Sequence, residues 1–348
     1  MLDVTGLLEQ FTDPREDNKV TYPLLSLLFM SICGVCSGAE TWGQIVTWAE
    51  THQSWLHRYV DMSQGIPSYS TIRRLFILVK PDDFQGLLQD IIDSLHPNKK
   101  PEDHVAIDGK ALRGSRCHIK KVKAMQIVTA LSIENRFSLA AVKTNSKSNE
   151  ITSIPVLLAL LELEGATVSV DAIGCNDTVI NAILAQGAHY MIGLNKNQPT
   201  LYEAVVAYAN EKGTHLKHLV SDGFDKGHGR CVRRRYFAFS LPENLCASRM
   251  TSIKTCIAVE RISSSKHSNT VTSHGHYYIT DHNADHPKLA SYIRQHWEIE
   301  SHHWLLDVHL NDDNDKKYEA NSAENFARMR RFLLDLVKSK KWPGKKEH

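Results

Sequence analysis

The apolar residues of this chain change their spacing at a polar, proline-bounded segment, residues 96–101. Before this segment they recur roughly every three or four residues, which is the period of an amphipathic helix. After residue 104 they form short runs of about four to eight residues, which is the length of a buried strand. The change predicts an all-helical N-terminal domain over residues 1–100 and an α/β domain over residues 101–348.

Helical spacing in the N-terminal part is clearest in residues 24–39, 40–50, 54–60, 72–78 and 82–95. Ser70 is the predicted N-cap of the fourth helix. The first helix contains Cys33 and Cys36, which we interpret as core residues because no second CxxC follows to complete a zinc site. Its apolar run is also shorter than the ~20 residues that cross a bilayer.

Composition predicts a soluble protein of a reducing compartment. The chain has 348 residues, of which 42% are hydrophobic and 23% are charged, ordinary values for a globular protein. Its seven scattered cysteines are odd in number, so a disulfide framework is not expected. The N-terminal residues lack the basic start and cleavage site of a signal peptide. We therefore expect a cytoplasmic protein without a membrane segment.

Residues 104–210 show strands and helices in the order β-β-β-α-β-α-β-α. The first strands are joined by a tight turn at residues 134–136, so this order predicts a mixed sheet that begins with a hairpin. Residues 213–280 show strand-like alternation and predict a β-rich insertion. A helix from Asn283 or Asp285 to about Val308 follows, and Asn321 is the predicted cap of a last helix.

Two of the predicted strands end in an aspartate after an apolar run. These residues are Asp108 and Asp171. Ligands of open α/β sheets bind at the carboxyl ends of the strands, and paired carboxylates there suit hard divalent metals such as Mg²⁺. The alternative is that each aspartate only caps a helix or closes a turn. The residues alone leave both interpretations open.

Histidines at positions 296, 302, 303 and 309 raise the alternative of a zinc site. His302 and His303 are adjacent in a predicted helix, so they cannot share one of its faces, and no cysteine lies near them to complete a ligand set. We therefore do not expect zinc at this position.

Seven ordered motifs across the α/β part give the chain a resemblance to a known family. They are residues 106–114, 147–151, 171–175, 196–198, 228–230, 296–308 and 321–325, and residues 13–15 and 67–71 match in the N-terminal part. With these motifs the chain resembles the H-repeat-associated insertion-sequence transposases, DDE enzymes with a ribonuclease-H-like core. The resemblance implies that Asp108, Asp171 and Glu300 hold two catalytic metal ions, Mg²⁺ or Mn²⁺.

Glu298 is the rival for the third acid. Two residues turn about 200° around a helix, so only one of the two glutamates can face the metals. Glu300 shares its face with His296, His303 and Asp307. Related transposases often have an arginine where this chain has His296 and a lysine where it has Asp307, so we expect weaker phosphate contacts from this helix.

DNA contacts must come from local basic surfaces, because 41 basic and 39 acidic residues leave a net charge of only +2. The resemblance implies that these contacts include Lys110, Arg113, Lys196, Asn197, Gln198, Arg230 and His296. Two other basic segments are open to either interpretation, as DNA contacts or as ordinary helix surfaces. They are Arg73 with Arg74, and Arg328 with Arg330 and Arg331.

The resemblance implies a transposase that cleaves double-stranded DNA at transposon ends and transfers the strand into target DNA. Two ends must be held together, so we expect a homodimer on DNA. Two alternatives stay open: an idle remnant that only binds DNA, and a stand-alone ribonuclease-H-like nuclease. A dedicated N-terminal helical domain argues against the nuclease, and intact acids argue against the remnant.

Overall fold

The structure is a computed structural model, and it describes residues 4–97, 100–117, 121, 123–144, 150–211, 218–227, 230–242, 250, 252–265, 268–317 and 319–339. Within these residues one mixed sheet of nine strands forms the centre, in the order β3-β2-β1-β4-β5-β9-β8-β7-β6. No helix among the described residues is long and apolar enough to cross a membrane.

The N-terminal part consists of six helices in the described residues: α1 (Val4–Glu9), α2 (Leu24–Cys36), α3 (Trp42–Thr51), α4 (Gln53–Leu56), α5 (Tyr69–Leu78) and α6 (Pro81–Leu95). The predicted cap of α5 is wrong by two residues, because Ser68 stands at the N-cap and Ser70 lies inside the helix. Cys33 and Cys36 contact the core of these helices, and burial raises the pKa of each thiol to about 12.

The first five strands are β1 (His104–Leu112), β2 (Met125–Ser132), β3 (Ser138–Thr144), β4 (Thr167–Val170) and β5 (His189–Leu194). β1 pairs antiparallel with β2 and parallel with β4, and β4 pairs parallel with β5. Helices α7 (Glu150–Leu158), α8 (Asp177–Ala185) and α9 (Pro199–Glu211) connect and follow the parallel strands. This is the mixed sheet with an initial hairpin that the sequence predicts.

Residues 218–280 supply four strands: β6 (His218–Gly227), β7 (Arg230–Ser240), β8 (Thr255–Ser265) and β9 (Ser268–Thr280). The predicted strand content is present, but these strands do not form a separate sheet. β9 pairs antiparallel with β5 from Met191 opposite Thr280 to Leu194 opposite Tyr277. The insertion therefore extends the central sheet through backbone hydrogen bonds.

The predicted helix over residues 283–308 is two helices, α10 (Leu289–His296) and α11 (Glu298–Leu310). The early start at Asn283 or Asp285 is wrong because Pro287 disfavours helical backbone in the residue before it. Trp297 separates the two helices. His296 therefore belongs to a different helix from Glu300, so the prediction that these two residues share one helix face is wrong.

The last helix, α12 (Ala320–Ser339), joins the two parts of the chain. Phe326, Met329 and Phe332 lie in the core of the N-terminal helices, whereas Ala323 and Ala327 pack against the sheet. Asn321 lies inside the helix and is not its cap. The core of the N-terminal helices therefore includes side chains from the C-terminal part of the chain.

The basic residues of α12 are buried, so the DNA contact considered for them does not fit the structure. Arg328, Arg330 and Arg331 are each 3% exposed or less. Arg331 lies 3.5 Å from Asp312 and Arg330 lies 3.6 Å from the same carboxylate. A buried arginine requires such partners because an unpaired charge is costly away from water.

Alanine substitutions at two glycines test this fold, because we expect one to lower the free energy of unfolding and the other to raise it. A Cβ on Gly114 would lie 2.6 Å from the carbonyl oxygen of Asp313, so Gly114→Ala must move backbone. We expect it to lower the free energy of unfolding by ~1–3 kcal/mol. Gly86 lies in α6 with open space around its Cβ position, so Gly86→Ala should raise that free energy by ~0.5–1 kcal/mol. Urea unfolding measures both, and a neutral Gly114→Ala beside a stabilising Gly86→Ala would contradict the close approach of residues 113–115 to residues 312–315.

Candidate active site

The pairing of β1 with β4 brings two aspartates to one edge of the sheet. The last parallel pair is Ile107 with Val170, and Asp108 and Asp171 follow directly. Asp171 begins a short 3₁₀ turn, and its side chain accepts a hydrogen bond from the N–H of Ile173 at 3.0 Å. The turn-closing interpretation of Asp171 is thus also true, and it fixes the direction of this carboxylate.

The sequence predicts that β1 ends at Asp108, and this prediction is wrong. The strand continues to Leu112 because β2 keeps pairing with it, with Asp108 opposite Thr129. β1 therefore pairs with a strand on each side up to Ile107, and β2 also pairs with it at Asp108. The backbone of Asp108 has less freedom than that of an acid in a loop.

Helix α11 carries Glu300 to the two aspartates. Its neighbour Ile299 is fully buried against Ala106, Leu131 and Ile133, which fixes the helix on the sheet. Burial raises the pKa of Glu300, the charge of Asp108 raises it further, and Asp171 acts in the same direction against a lowering by His303. The three carboxylates therefore influence one another through their charges, as acids that share one site do.

Glu298 lies in a different environment. Its charge acts on the ammonium of Lys338 in α12, whose pKa is lowered chiefly by burial. Glu298 is not among the groups that shift the pKa of Glu300. This difference supports the expectation that Glu300, and not Glu298, faces the aspartates.

Two polar contacts join α11 to β1 beside the acids. Nδ1 of His303 lies 3.3 Å from a carboxylate oxygen of Asp108. Nζ of Lys110 lies 2.5 Å from Asp307 and 3.2 Å from Asp313. Lys110 is buried, so its ammonium serves these carboxylates rather than the DNA contact that the sequence predicts for it. Sequence reasoning noted the polar face of His303 and Asp307 but missed their partners on β1.

His296 is also buried, which does not fit the predicted phosphate contact. Its Nδ1 lies 2.9 Å from the hydroxyl of Ser169, and that hydroxyl lies 2.8 Å from Nε2 of His104. Burial lowers the pKa of His296, and burial lowers the pKa of His104 to about 3. Both imidazoles are therefore neutral at neutral pH, and they link α10 to β1 and β4. No sequence signal identified Ser169 or His104.

The remaining predicted contacts divide into two groups. Asn197 donates a hydrogen bond to the carbonyl of Ala172, and Gln198 donates one to the carbonyl of Cys175 at 2.7 Å. These amides hold the turn that follows Asp171. Lys196 and Arg113 are exposed, and Nε of Arg113 lies 3.6 Å from a carboxylate oxygen of Asp313. The side chain of Arg230 and the motif residues 147–149 and 228–229 lie outside the described residues.

The donor set of the acid site consists of carboxylate oxygens, which are the ligands that hard divalent cations prefer. The raised pKa of Glu300 shows that the negative charges of Asp108 and Asp171 reach it, and a cation would relieve that repulsion. Among the described residues, no three acidic, histidine or cysteine side chains are already grouped closely enough to hold a metal ion. The carboxylates would therefore have to turn toward an ion as it binds. The donor atoms are those that Mg²⁺ or Mn²⁺ prefers, whereas their present spacing is not that of a formed metal site.

Comparisons with known proteins agree along the whole chain. A family model described as the transposase DDE domain matches residues 99–334, and one described as DDE_Tnp_1-associated matches residues 5–91. The chain is 32% identical to the H repeat-associated putative transposase YhhI of Escherichia coli (strain K12), over 98% of this chain and 92% of that protein. It is also 32% identical to the putative transposase YncI of Escherichia coli O157:H7, over 97% and 88%.

Similarity to solved structures is much weaker. The piggyBac transposase, in the cryo-EM structure of its synaptic complex with hairpin DNA, is 9% identical with a TM-score of 0.43. The match covers 97% of this chain and 73% of that one.

The shifted pKa of Glu300 predicts a pH-dependent gain in stability when its charge is removed. A raised pKa contributes stability below the ordinary value of 4.5, and this stability is lost as pH rises through the raised value. In EDTA at neutral pH, Glu300→Gln should therefore unfold at a higher temperature than the unmodified chain. The gain should be below about 1 kcal/mol, because solvent screens this exposed group.

Scanning calorimetry between pH 4 and pH 7, values on either side of the ordinary glutamate pKa, measures this effect. The gain should vanish at the acidic end, where Glu300 is protonated, and Glu298→Gln should not show it. A gain that grows toward acid pH would contradict the electrostatic coupling of the three acids.

Proposed function

The chain belongs to the DDE transposase family, and we propose that Asp108, Asp171 and Glu300 are the acids with which it cuts and joins DNA. Enzymes of this family cleave DNA at the ends of a mobile element and transfer the exposed strand into target DNA. The observation that carries the proposal is the position of Asp108 and Asp171 directly after the last parallel pair of β1 and β4, with the charges of both acting on Glu300 of α11.

We further propose that β1 to β5 are a ribonuclease-H-like core. Support comes from the order β3-β2-β1-β4-β5, in which a hairpin precedes two parallel crossovers. The domain division at residue 100 is also a proposal, with α12 as the one helix of the C-terminal part that completes the N-terminal core.

The reaction consists of two substitutions at phosphorus. In the first, water attacks a phosphodiester at the transposon end, the bond from phosphorus to the 3′ oxygen breaks, and a 3′-hydroxyl and a 5′-phosphate remain. In the second, that 3′-hydroxyl attacks a phosphodiester of the target, a new phosphodiester forms, and a 3′-hydroxyl of the target leaves. Each step breaks one P–O bond and forms another.

The chain's own residues position the acids for both steps. β1 and β4 hold Asp108 and Asp171 at one edge, and Glu300 approaches from the helix. His303 orients Asp108, and the Lys110–Asp307 pair keeps α11 against β1. DDE transposases use divalent ions, and we propose that Asp108, Asp171 and Glu300 would hold two of Mg²⁺ or Mn²⁺, which when bound would supply charge stabilisation at the reacting phosphate.

DNA is the partner of the family, and the details of its binding are proposals. Arg113 and Lys196 are exposed near the acid site and suit phosphate contacts. Helix α5 presents Tyr69 and Arg74 to solvent and is our candidate for a contact with the transposon ends. We also propose a homodimer on DNA, because both ends must be held while the strands are exchanged.

The two glutamates of α11 provide the test of the proposed acids. Glu300→Gln keeps the shape of the side chain and removes the charge that would hold a metal ion. We expect strand cleavage of end-containing DNA in Mg²⁺ to fall by a factor of about 10³ or more, since metal-mediated charge stabilisation contributes several kcal/mol and ~1.4 kcal/mol is tenfold in rate. Binding of the same DNA, followed by gel shift, should survive because basic residues elsewhere contact the phosphates.

Glu298→Gln is the matched control, since it makes the same change two residues away. It should alter cleavage by less than about tenfold, the scale of a surface substitution. Loss of cleavage in Glu298→Gln with full cleavage in Glu300→Gln would overturn the assignment. Full cleavage in both would place the third acid elsewhere, and Asp307 would be the next residue to test. An unmodified chain that binds its ends and does not cut in Mg²⁺ would favour the idle remnant.

A further inference from the structure

A groove runs along one face of the sheet, starting at Asp171. Its larger part is a cavity of about 690 Å³, lined by Asp171 at one end and by side chains of β7, β8 and α10. A second cavity of about 260 Å³ lies against β6. The two cavities share Arg234, Tyr236 and Arg294 in their walls, so they are continuous. A groove of this extent suits an extended ligand.

The walls of the groove are rich in arginine. Arg234 comes from β7, Arg261 from β8 and Arg294 from α10, so three separate elements contribute one guanidinium each. Asp171 is the single carboxylate among the described residues that line the larger cavity. A wall of this charge attracts an anionic ligand and leads it toward the acid site.

Arg234 stands directly opposite Arg261 in the pairing of β7 with β8. Directly opposite residues lie on the same face, with their Cβ atoms ~4.5–5.5 Å apart, and like charges in such pairs destabilise a sheet. The next pair along, Arg235 with Glu260, joins opposite charges at 2.7 Å on the other face. The strands therefore place two arginines side by side on the groove face, where both can contact one anionic ligand.

Aromatic side chains accompany the arginines. Tyr236, Tyr278 and Trp297 line the larger cavity, and Trp297 is 46% exposed. Tyr236 packs on the buried cluster that includes Met191 and Ile293, which holds this wall of the groove in place. Basic grooves with aromatic surfaces bind nucleic-acid strands, because phosphates meet the cations and bases stack on the rings.

We propose that this groove binds a strand of the DNA substrate, with Arg234 and Arg261 neutralising phosphates about six to seven nucleotides from the bond cut at the acid site. This inference rests on the proposed function of Asp108, Asp171 and Glu300. β8 lies three strands from β4 and β7 lies four, which is ~14 and ~19 Å at ~4.8 Å per strand. Through β5 and β9, the position of Asp171 corresponds to Ile257, four residues before Arg261, which adds ~13 Å along the strands at ~3.3 Å per residue. The direct distances are therefore ~20 and ~23 Å, and a duplex strand that rises ~3.4 Å per nucleotide gives the stated range.

The test compares two double variants of the same net charge. Arg234→Gln with Arg261→Gln removes two charges from the groove face. Arg233→Gln with Arg235→Gln removes two charges from the other face, where these arginines pair with Asp222 and Glu260. The probe is a fluorescein-labelled duplex that carries the transposon end, with Ca²⁺ in place of Mg²⁺ so that it is not cut. Fluorescence anisotropy gives the affinity over a series of NaCl concentrations.

Each phosphate contact contributes about 0.9 to the slope of log affinity against log salt. The groove variant should therefore lose about 2 from this slope, and the control variant should keep it. A groove variant with the unmodified slope would overturn the proposal. An equal loss in both variants would also overturn it, because it would mean that net charge alone matters.

Two further measurements separate the possible causes. Thermal unfolding first shows whether the groove variant keeps the stability of the unmodified chain. If it unfolds earlier, the single variant Arg261→Gln, at an exposed position, replaces it and should lose about 1 from the slope. Cleavage of the same duplex in Mg²⁺ then distinguishes the failures. If the unmodified chain cuts the duplex and the groove variant keeps the salt slope, the groove proposal alone is disproved. If the unmodified chain does not cut and the salt slope of the groove variant falls, the acid-site proposal alone is disproved.

Discussion

The parallel pairing of β1 with β4 is the constraint on which the proposed acid site depends, because it sets two carboxylates side by side. Burial raises the pKa of Glu300, and the charges of Asp108 and Asp171 raise it further, so without a cation the fold holds these acids against their repulsion. Backbone pairing of β1 with β4 fixes the aspartates. The buried Ile299 fixes the helix that carries Glu300. Apolar packing and strand hydrogen bonds thus provide the stability that the acids themselves reduce.

An ion pair beside the acids also helps to hold together the elements that carry them. Lys110 lies two residues after Asp108 on β1 and pairs with Asp307, which lies seven residues after Glu300 on α11. The pair joins the two elements whose relative position decides whether the acids can share an ion. Truncating one partner would leave a buried charge, which is a larger disturbance than the loss of a surface pair. The resemblance to related transposases drew attention to Asp307 because a lysine often stands there, and in this chain the lysine that pairs with it comes from β1.

Local patterns were sufficient to predict much of the fold. Apolar runs predicted β1, β4 and β5. Helical spacing predicted that Glu300 and not Glu298 faces the aspartates, which stays a prediction. Tertiary partners were not predictable in this way. Arg330 and Arg331 read as a basic helix surface, because nothing in their neighbourhood along the chain shows that Asp312 approaches them in the fold. The predicted length of β1 is wrong for the same reason. Pairing with β2, and not the run of apolar residues, decides where the strand ends.

The strands of residues 218–280 illustrate how a sheet can position a substrate. Their alternation predicted strands, but it did not reveal that β9 pairs with β5 and thereby attaches them to the strand next to β4. Through this pairing, the distance from Arg261 to Asp171 depends on strand spacing and register, which vary little, rather than on a flexible connection. α10 lies over the same strands, and its buried His296 contacts Ser169 on β4. The groove and the two aspartates therefore belong to one hydrogen-bonded sheet, and a strand bound along it would meet the acids in a defined register, as catalysis by positioning requires.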